Sequence, residues 1–156
     1  MRAVAGFAPL QSNDGYLPIE DHGLIGDGTT AALVSRDGSV VWLCTPRFDA
    51  PPLFCRVLDV HRGGEFAVAV EGLQASRQRY EADSGVLITE LRGPTGVLQL
   101  TDALALRDHA DLLAERSAGR GMLLRRRAVV DGHVAVSVRL QPRGGRRPGR
   151  RLLGGD

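Results

Sequence analysis

The chain alternates short apolar runs with turns that are rich in glycine, proline and aspartate. Two such runs, Thr30–Ser35 and Val40–Cys44, flank the dipeptide Asp37-Gly38. Asp-Gly between two apolar runs is a strong hairpin signal, because tight hairpin turns require positive φ angles that glycine adopts readily. We therefore predict that these two runs form a β-hairpin.

The same pattern occurs twice more along the chain. Val86–Leu91 and Val97–Thr101 flank a Gly-Pro-Thr-Gly turn, and Met122–Val130 and His133–Leu140 flank a second Asp-Gly dipeptide. Runs of β-branched residues on either side of such turns are typical of hairpins. We predict one hairpin from each pair of runs.

Two other segments complete the predicted secondary structure. Residues Glu65–Val70 form a further strand-like run, and only Asp102–Glu115 is compatible with a helical turn or two. In His133–Leu140, valine and leucine alternate with polar or small residues, which indicates one buried and one solvated face. Many short strands joined by Gly and Pro turns predict an all-β fold, an antiparallel β-sandwich.

Length and composition narrow the class of protein. A chain of 156 residues that is 43% hydrophobic fits one globular domain. No apolar run approaches the roughly 20 residues that span a bilayer, so we expect a cytoplasmic protein with no membrane contact. The only cysteines, Cys44 and Cys55, are expected to be buried free thiols. The four histidines show no metal-ligand spacing, so neither a metal nor another cofactor is predicted.

The net charge of +2 is unevenly distributed. All basic residues are arginine, and five of them lie between Arg143 and Arg151, so the body of the chain is slightly acidic. This distribution argues against a nucleic-acid-binding face. The segment 142–156 has too few apolar residues to offset its chain entropy, and we expect a disordered tail there. Residues 1–15 are expected to form a flexible lead.

A series of short motifs lies between Tyr16 and Pro52. The motifs are Pro18-Ile19-Glu20-Asp21, Ile25-Gly26-Asp27, Thr30-Ala31-Ala32-Leu33-Val34, Asp37-Gly38-Ser39, Trp42-Leu43-Cys44, Pro46-Arg47-Phe48-Asp49 and Ala50-Pro51. In order and spacing, the series resembles the trehalase-like N-terminal domain of glycoside hydrolase family 15, which includes bacterial glucoamylases, glucodextranases and trehalases. Ala50 departs from the family pattern, where serine is usual, and the resemblance ends beyond Leu140.

The resemblance implies a large antiparallel β-sandwich of the super-β-sandwich type, followed by an (α/α)6 barrel. In such enzymes two barrel glutamates act as general acid and general base of an inverting mechanism. None of the glutamates here matches a catalytic position of the family, so no catalytic residue is predicted. We expect residues 16–141 to be an incomplete sandwich, with the gene truncated or frameshifted near Arg143.

Two hypotheses concern the loop that contains Arg47, Phe48 and Asp49. In the first, the loop faces the catalytic barrel and shapes the substrate cleft from outside. In the second, Arg47 pairs with Asp27 or Asp49 and fixes the loop. The second explains the residues without invoking a substrate.

The remaining motif residues are interpreted mainly as structural. Trp42 is either a sugar-stacking platform or, within an apolar strand, part of the core. Asp21 and Asp27 either hold a cation or serve as turn and cap residues. The full set of structural motif residues is Asp21, Gly26, Asp27, Asp37, Gly38 and Trp42.

We therefore predict a non-catalytic fragment that supports a catalytic barrel in the intact enzyme of carbohydrate metabolism. The alternative is a stand-alone carbohydrate-binding or protein-interaction module. The barrel is the expected partner, within one chain or as a separately encoded subunit. Self-association through exposed sheet edges is also predicted, because a cut sandwich leaves strand edges unpaired.

Overall fold

The computed structural model describes residues 6–108, 118–144 and 147–148, and nearly all of its regular structure is strand. A 3-10 turn at Ile19–Asp21 precedes twelve strands. The strands are β1 (His22–Gly26), β2 (Ala31–Ser35), β3 (Ser39–Cys44), β4 (Pro52–Cys55), β5 (Glu65–Val70), β6 (Ala75–Tyr80), β7 (Leu87–Arg92), β8 (Gly96–Leu106), β9 (Gly119–Gly132), β10 (Val136–Gln141), β11 (Arg143–Gly144) and β12 (Arg147–Pro148).

The strands form two antiparallel sheets that pack face to face. The first sheet has the order β1-β2-β3-β5-β10, with β4 also paired to β3, and the second has the order β6-β7-β8-β9. Strands β11 and β12 pair only with each other. The predicted antiparallel β-sandwich is confirmed.

Two of the three predicted hairpins are present. Strands β2 and β3 pair with Leu33 opposite Trp42, and β7 pairs with β8 over six residues. In the first hairpin only Gly38 of the Asp-Gly pair has positive φ, at 89°, and its N–H donates to the carbonyl of Ser35 (3.0 Å). The turn is thus a three-residue loop closed by a glycine in the left-handed region.

The third predicted hairpin is wrong. Strand β9 pairs with β8 in the second sheet, whereas β10 pairs with β5 in the first. Asp131-Gly132 forms the end of β9, still paired with β8, and the chain crosses to the first sheet after it. Gly132 does have a positive φ of 58°. Turn chemistry therefore predicted the change of direction, but the partner of each strand depended on which sheet edge was open.

The helical turn predicted for Asp102–Glu115 is wrong for its first five residues, which belong to β8. Asp102 and Leu104 are buried on the inner face of that strand, at 0% and 6% exposure. Alanine and leucine favour helix locally, but packing against the other sheet overrides that preference. Residues 109–115 of the prediction lie outside the described residues.

The core lies between the sheets in two clusters of buried side chains. The first contains Ile25, Ala32, Val34, Val40, Leu43, Phe54, Leu87 and Leu104. The second contains Val68, Val70, Leu91, Leu98 and Leu100. The alternation predicted for the last strand is confirmed, because Val136 and Val138 pack against the second cluster while Ser137 and Arg139 are exposed.

The described residues that precede β1 contact the second sheet. Ala8, in the predicted flexible lead, forms an antiparallel bridge with Ser76 of β6. Of the predicted disordered tail, residues 142–144 and 147–148 are described, and the rest lies outside the described residues. Within the part of the chain that the structure describes, no helix is long and apolar enough to cross a membrane.

Candidate functional site

The loop between β3 and β4 projects an ion pair and an aromatic ring into solvent. The guanidinium of Arg47 donates to both carboxylate oxygens of Asp49, with Nε–Oδ1 at 3.0 Å and Nη2–Oδ2 at 3.2 Å. The side chains of Arg47 and Asp49 are 67% and 58% exposed, and Phe48 between them is 72% exposed. The predicted Arg47–Asp49 pair is therefore present. Such an exposed pair contributes at most about 1 kcal/mol, but it defines the shape of the loop tip.

This loop is anchored on the turn between β1 and β2. The N–H of Phe48 donates to the carbonyl of Thr29 at 3.1 Å. Asp27 Oδ1 in turn accepts the backbone N–H groups of Thr29 and Thr30, both at 2.9 Å, and the Thr29 hydroxyl at 2.7 Å. Asp27 Oδ2 accepts the N–H of Gly121 at the start of β9 (3.3 Å). Of the roles considered for Asp27, the turn role is the one observed.

The environment of Asp27 favours its ionised form. Burial by itself raises the pKa of this carboxyl, but the hydrogen bonds from Thr30, Thr29 and Gly121 outweigh burial, and the pKa lies below its ordinary value. The negative charge of Asp27 is thus stabilised by hydrogen bonds from backbone N–H groups and one hydroxyl. Gly26, which precedes it, is the last residue of β1 and pairs with Ala31.

Asp21 forms a buried ion pair that the sequence interpretation missed. Both of its carboxylate oxygens accept from Arg36, with Nε–Oδ1 at 2.7 Å and Nη2–Oδ2 at 2.9 Å. Arg36 Nη1 donates to the Ser76 carbonyl of the second sheet at 3.1 Å. Both carboxylate oxygens of Asp21 are therefore bound to a guanidinium, a partner that neither hypothesis for this residue named. No local pattern links residues fifteen positions apart.

Asp37, in the turn between β2 and β3, belongs to a network of hydrogen bonds and ion pairs. Its carboxylate accepts the Ser35 hydroxyl, the Ser39 N–H (2.9 Å) and Arg56 Nη1 (3.1 Å). Burial by itself raises the pKa of Asp37. The hydrogen bonds from Ser35 and Ser39 and the charge of Arg56 together outweigh burial, so the pKa lies below its ordinary value. Arg56 also donates to Glu65 at 2.7 Å.

A cavity of about 190 Å³ adjoins this network. Its lining includes Tyr16, His22, Asp37 and Arg56. The His22 Nδ1 atom lies 2.9 Å from the Pro18 carbonyl. The Asp37 carboxylate and both Nη atoms of Arg56 already form hydrogen bonds within the protein.

Trp42 is half-buried on β3, opposite Leu33 of β2 and Cys55 of β4. It belongs to neither of the two clusters between the sheets. Its position on a sheet between two neighbouring strands differs from that of Phe48, whose ring stands free at a loop tip.

A second buried ion pair, between Asp102 and Arg125, was also missed. Arg125 donates to Asp102 with Nε–Oδ1 at 2.6 Å and Nη2–Oδ2 at 2.9 Å, and the two side chains are 3% and 0% exposed. Arg125 Nη1 crosses to the first sheet and donates to the carbonyls of Gly38 (2.9 Å) and Phe66 (2.8 Å). Asp102 of β8 and Arg125 of β9 lie directly opposite each other, so the ion pair could have been predicted only from knowledge of how these two strands pair.

The two cysteines are buried and free, as predicted. Burial is the main reason that the pKa of the Cys44 thiol lies above its ordinary value. Within residues 6–108, 118–144 and 147–148, no group of three or more histidine, cysteine, aspartate or glutamate side chains could hold a metal ion.

Comparisons with known proteins identify a family that the chain matches. The family described as "Trehalase-like, N-terminal" matches residues 11–146. A trehalase of Mycobacterium tuberculosis is 35% identical over 105 residues, which are 67% of this chain and 15% of that protein. A trehalase of Mycolicibacterium smegmatis is 40% identical over 93 residues, or 58% of this chain and 14% of the relative. A trehalase of Thermoplasma volcanium is 36% identical over 92 residues.

The chain thus spans about 15% of the length of the curated relatives that it matches. No solved structure matches it significantly.

Proposed function

The chain belongs to the trehalase-like N-terminal family, and from this premise we propose that it is a non-catalytic β-sandwich module of a trehalase-type glycoside hydrolase. One observation carries the proposal: the family match covers most of this chain but only about 15% of the trehalases that resemble it. The module supports a catalytic (α/α)6 barrel in the intact enzyme. The family-level expectation is glycoside hydrolase family 15 with inverting chemistry.

The bonds formed by the buried carboxylates of the described residues support a structural role for this module and a catalytic role for the barrel. An inverting glycosidase needs two carboxyl groups roughly 6.5–9.5 Å apart with space for a water molecule between them. The buried carboxylates here are instead engaged by arginines or backbone N–H groups, as in Asp102 with Arg125, Glu90 with Arg77, and Asp27 with Thr30. These carboxylates stabilise the fold. We propose that the general acid and general base belong to the barrel.

We further propose that the tip formed by Arg47, Phe48 and Asp49 faces the barrel and shapes the entrance to the substrate cleft. Phe48 is the most exposed of the large hydrophobic side chains that the structure describes. It stands on a loop that is fixed from within by the Arg47–Asp49 pair and from below by the Phe48 N–H bond to Thr29. An exposed aromatic ring on an anchored loop is suited to contact a neighbouring domain or a sugar.

The experiment that tests the module is a chimera. The matched segment of the M. smegmatis trehalase is replaced by the equivalent residues of this chain, and trehalose hydrolysis is measured for the chimera and for this chain alone. We expect hydrolysis by the soluble chimera and none by the isolated chain. Hydrolysis of trehalose by the pure isolated chain would refute the non-catalytic assignment.

The loop is tested within the same chimera by Phe48→Ala. The matched control is Leu58→Ala, because Leu58 is 70% exposed on a different loop. We expect Phe48→Ala to raise KM or lower kcat several-fold with an unchanged melting temperature, and Leu58→Ala to change neither. Equal kinetic constants in the two variants would refute the proposal that this loop shapes the substrate cleft.

The exposed ring of Phe48 also favours a second candidate, a stand-alone carbohydrate-binding module. In that case the isolated chain binds trehalose or maltose saturably in calorimetry, and Phe48→Ala abolishes the heat of binding. The absence of binding leaves the supporting role as the proposed function.

We also propose that the protein resides in the cytoplasm. Cys44 and Cys55 lie on adjacent paired strands, are both buried and are both free. Unpaired structural thiols suit a reducing compartment.

A further inference from the structure

The two open sides of the sandwich differ in how their strand edges are treated. On one side, β1 and β6 are the outer strands of their sheets. The N–H of Leu24 in β1 donates to the Tyr80 hydroxyl of β6, and the same hydroxyl donates to the Leu24 carbonyl, both at 2.9 Å. Arg36 and Ala8 further occupy the Ser76 carbonyl and N–H of β6. This side is closed by contacts built into the chain.

The other side is formed by β9 and β10. Near the start of β9, the backbone of Gly121 is bound by Asp27 and Thr45 from loops of the first sheet, whereas beyond Gly121 the outer edge of β9 is not paired with any described strand. β9 is fourteen residues long, and among the described residues no strand pairs with its outer edge. Four of its apolar side chains are about half exposed: Met122, Leu124, Val129 and Val130. A long edge strand with exposed apolar side chains is a template for strand addition.

The charge on β9 restricts what can pair with it. Arg126 and Arg127 are exposed and form no ion pair with any described residue, whereas the buried Arg125 is neutralised by Asp102. Among the residues that the structure describes, Arg120 forms an ion pair only with the exposed Asp108, at 3.9 Å. Asp131 is the one acidic residue of the strand. The middle of the edge is therefore positive on both faces, with apolar residues on either side.

A second copy of the chain does not complement this edge. Residues directly opposite each other in an antiparallel pair share a face of the sheet, so two β9 edges that overlap almost completely can pair with Arg126 at the centre, and this register sets the Arg126 side chains of the two copies opposite each other. Like charges directly opposite each other in a sheet are destabilising. Basic side chains on an edge also discourage indiscriminate pairing. The edge is thus selective for a strand with acidic residues at its centre.

We propose that the outer edge of β9 receives an extended strand with central acidic residues and apolar flanks, supplied by the remainder of the longer trehalase-type protein. The inference rests on the proposed function, since the matched trehalases are far longer than this chain and contain the polypeptide to supply such a strand. Backbone hydrogen bonds along β9 provide the affinity, and Arg126 and Arg127 provide the selection by charge.

The test uses the full chain and synthetic peptides. The probe is a short peptide of alternating threonine and valine with two adjacent glutamates at its centre, and the matched peptide has lysines there. Binding is followed by NMR, and amide hydrogen exchange locates the protected residues. We expect the glutamate peptide to bind about tenfold more tightly at low salt, to protect amides of β9, and to lose its advantage at high salt.

Charge reversal provides the second arm. The double variant Arg126→Glu with Arg127→Glu should prefer the lysine peptide, while Arg62→Glu, an exposed reversal in the loop between β4 and β5, should behave as the parent. Two peptides of equal affinity, protection outside β9, or an unchanged preference in the double variant would overturn the proposal. A concentration-dependent dimer with β9 protected would also overturn it, because the occupant would be a second copy.

The outcome is separable from that of the chimera. Protection of β9 by the glutamate peptide, combined with a soluble but inactive chimera, would retain the strand-accepting edge and reject the supporting role. An active chimera, combined with no protection of β9, would do the reverse.

Discussion

Replacement of Arg125 by alanine tests the most buried charged contact in the sandwich. The Asp102 carboxylate is fully buried and receives two bonds from Arg125, which also donates to two carbonyls of the opposite sheet. After Arg125→Ala, a buried negative charge has lost its counter-ion. The perturbation therefore acts on the electrostatics of the interior as well as on packing.

The expected magnitude follows from what each group loses. Removal of one partner of a buried ion pair costs about 3–5 kcal/mol, because the other charge stays desolvated. The Gly38 carbonyl still accepts the Val68 N–H at 3.2 Å, so loss of its bond from Arg125 adds little. We expect a total near 4 kcal/mol, which is a large part of the 5–15 kcal/mol typical of a whole domain.

The assay is urea unfolding monitored by the fluorescence of Trp42, the one tryptophan of the chain. Arg47→Ala is the control, because its ion pair is exposed and should cost about 0.5 kcal/mol. The double variant Asp102→Leu with Arg125→Met should recover most of the loss, since no buried charge remains. Equal destabilisation by Arg125→Ala and Arg47→Ala, or a double variant as unstable as the single one, would refute the reasoning.

Three further predictions concern the turn, the pH dependence and the thiols. Gly38→Ala should destabilise the chain by about 2–3 kcal/mol in urea, because a Cβ at this position of positive φ clashes with a neighbouring carbonyl. Gly28→Ala, also at positive φ but with open space around it, should cost only about 1 kcal/mol, and equal costs would contradict the packing argument. The folded-state pKa of Asp27 is lowered, so its contribution to stability is present above the ordinary pKa of 3.8 and is lost as pH falls through the folded value. Melting temperatures below pH 4 should fall less steeply for Asp27→Asn than for the parent, and parallel curves would argue against the assigned bonds. Cys44 and Cys55 should react with a thiol reagent only after unfolding, whereas rapid reaction of the native protein would show that they are not buried.

Local signals in the sequence were sufficient for most of the strands and for two of the hairpins. Glu65–Val70 forms β5 as predicted, and Asp37-Gly38 closes the β2–β3 turn because only glycine adopts the φ of 89° at low cost. The same chemistry at Asp131-Gly132 produced a change of direction without a hairpin. A turn motif specifies how the backbone bends, but it does not specify the sheet to which the next strand belongs.

In the candidate site, too, contacts between residues close in the sequence were predictable, whereas contacts between distant residues were not. The Arg47–Asp49 pair and the turn role of Asp27 were predictable, because each involves residues two or three positions apart. Arg36 and Arg125 could not be assigned to Asp21 and Asp102, since these pairs join residues 15 and 23 positions apart. Their existence depends on which arginines the strand pairing carries into the interior.

The sequence by itself determined the β-rich character, the positions of the turns, the resemblance in Tyr16–Pro52 and the uneven charge, because these depend on neighbours along the chain. Only the tertiary structure decided that one side of the sandwich is closed by Tyr80 and Arg36, and that β9 presents Arg126 and Arg127 on an open edge. The physical reason is that burial, charge pairing and edge exposure are properties of strands that meet in space, and the identity of those strands is fixed when the two sheets assemble.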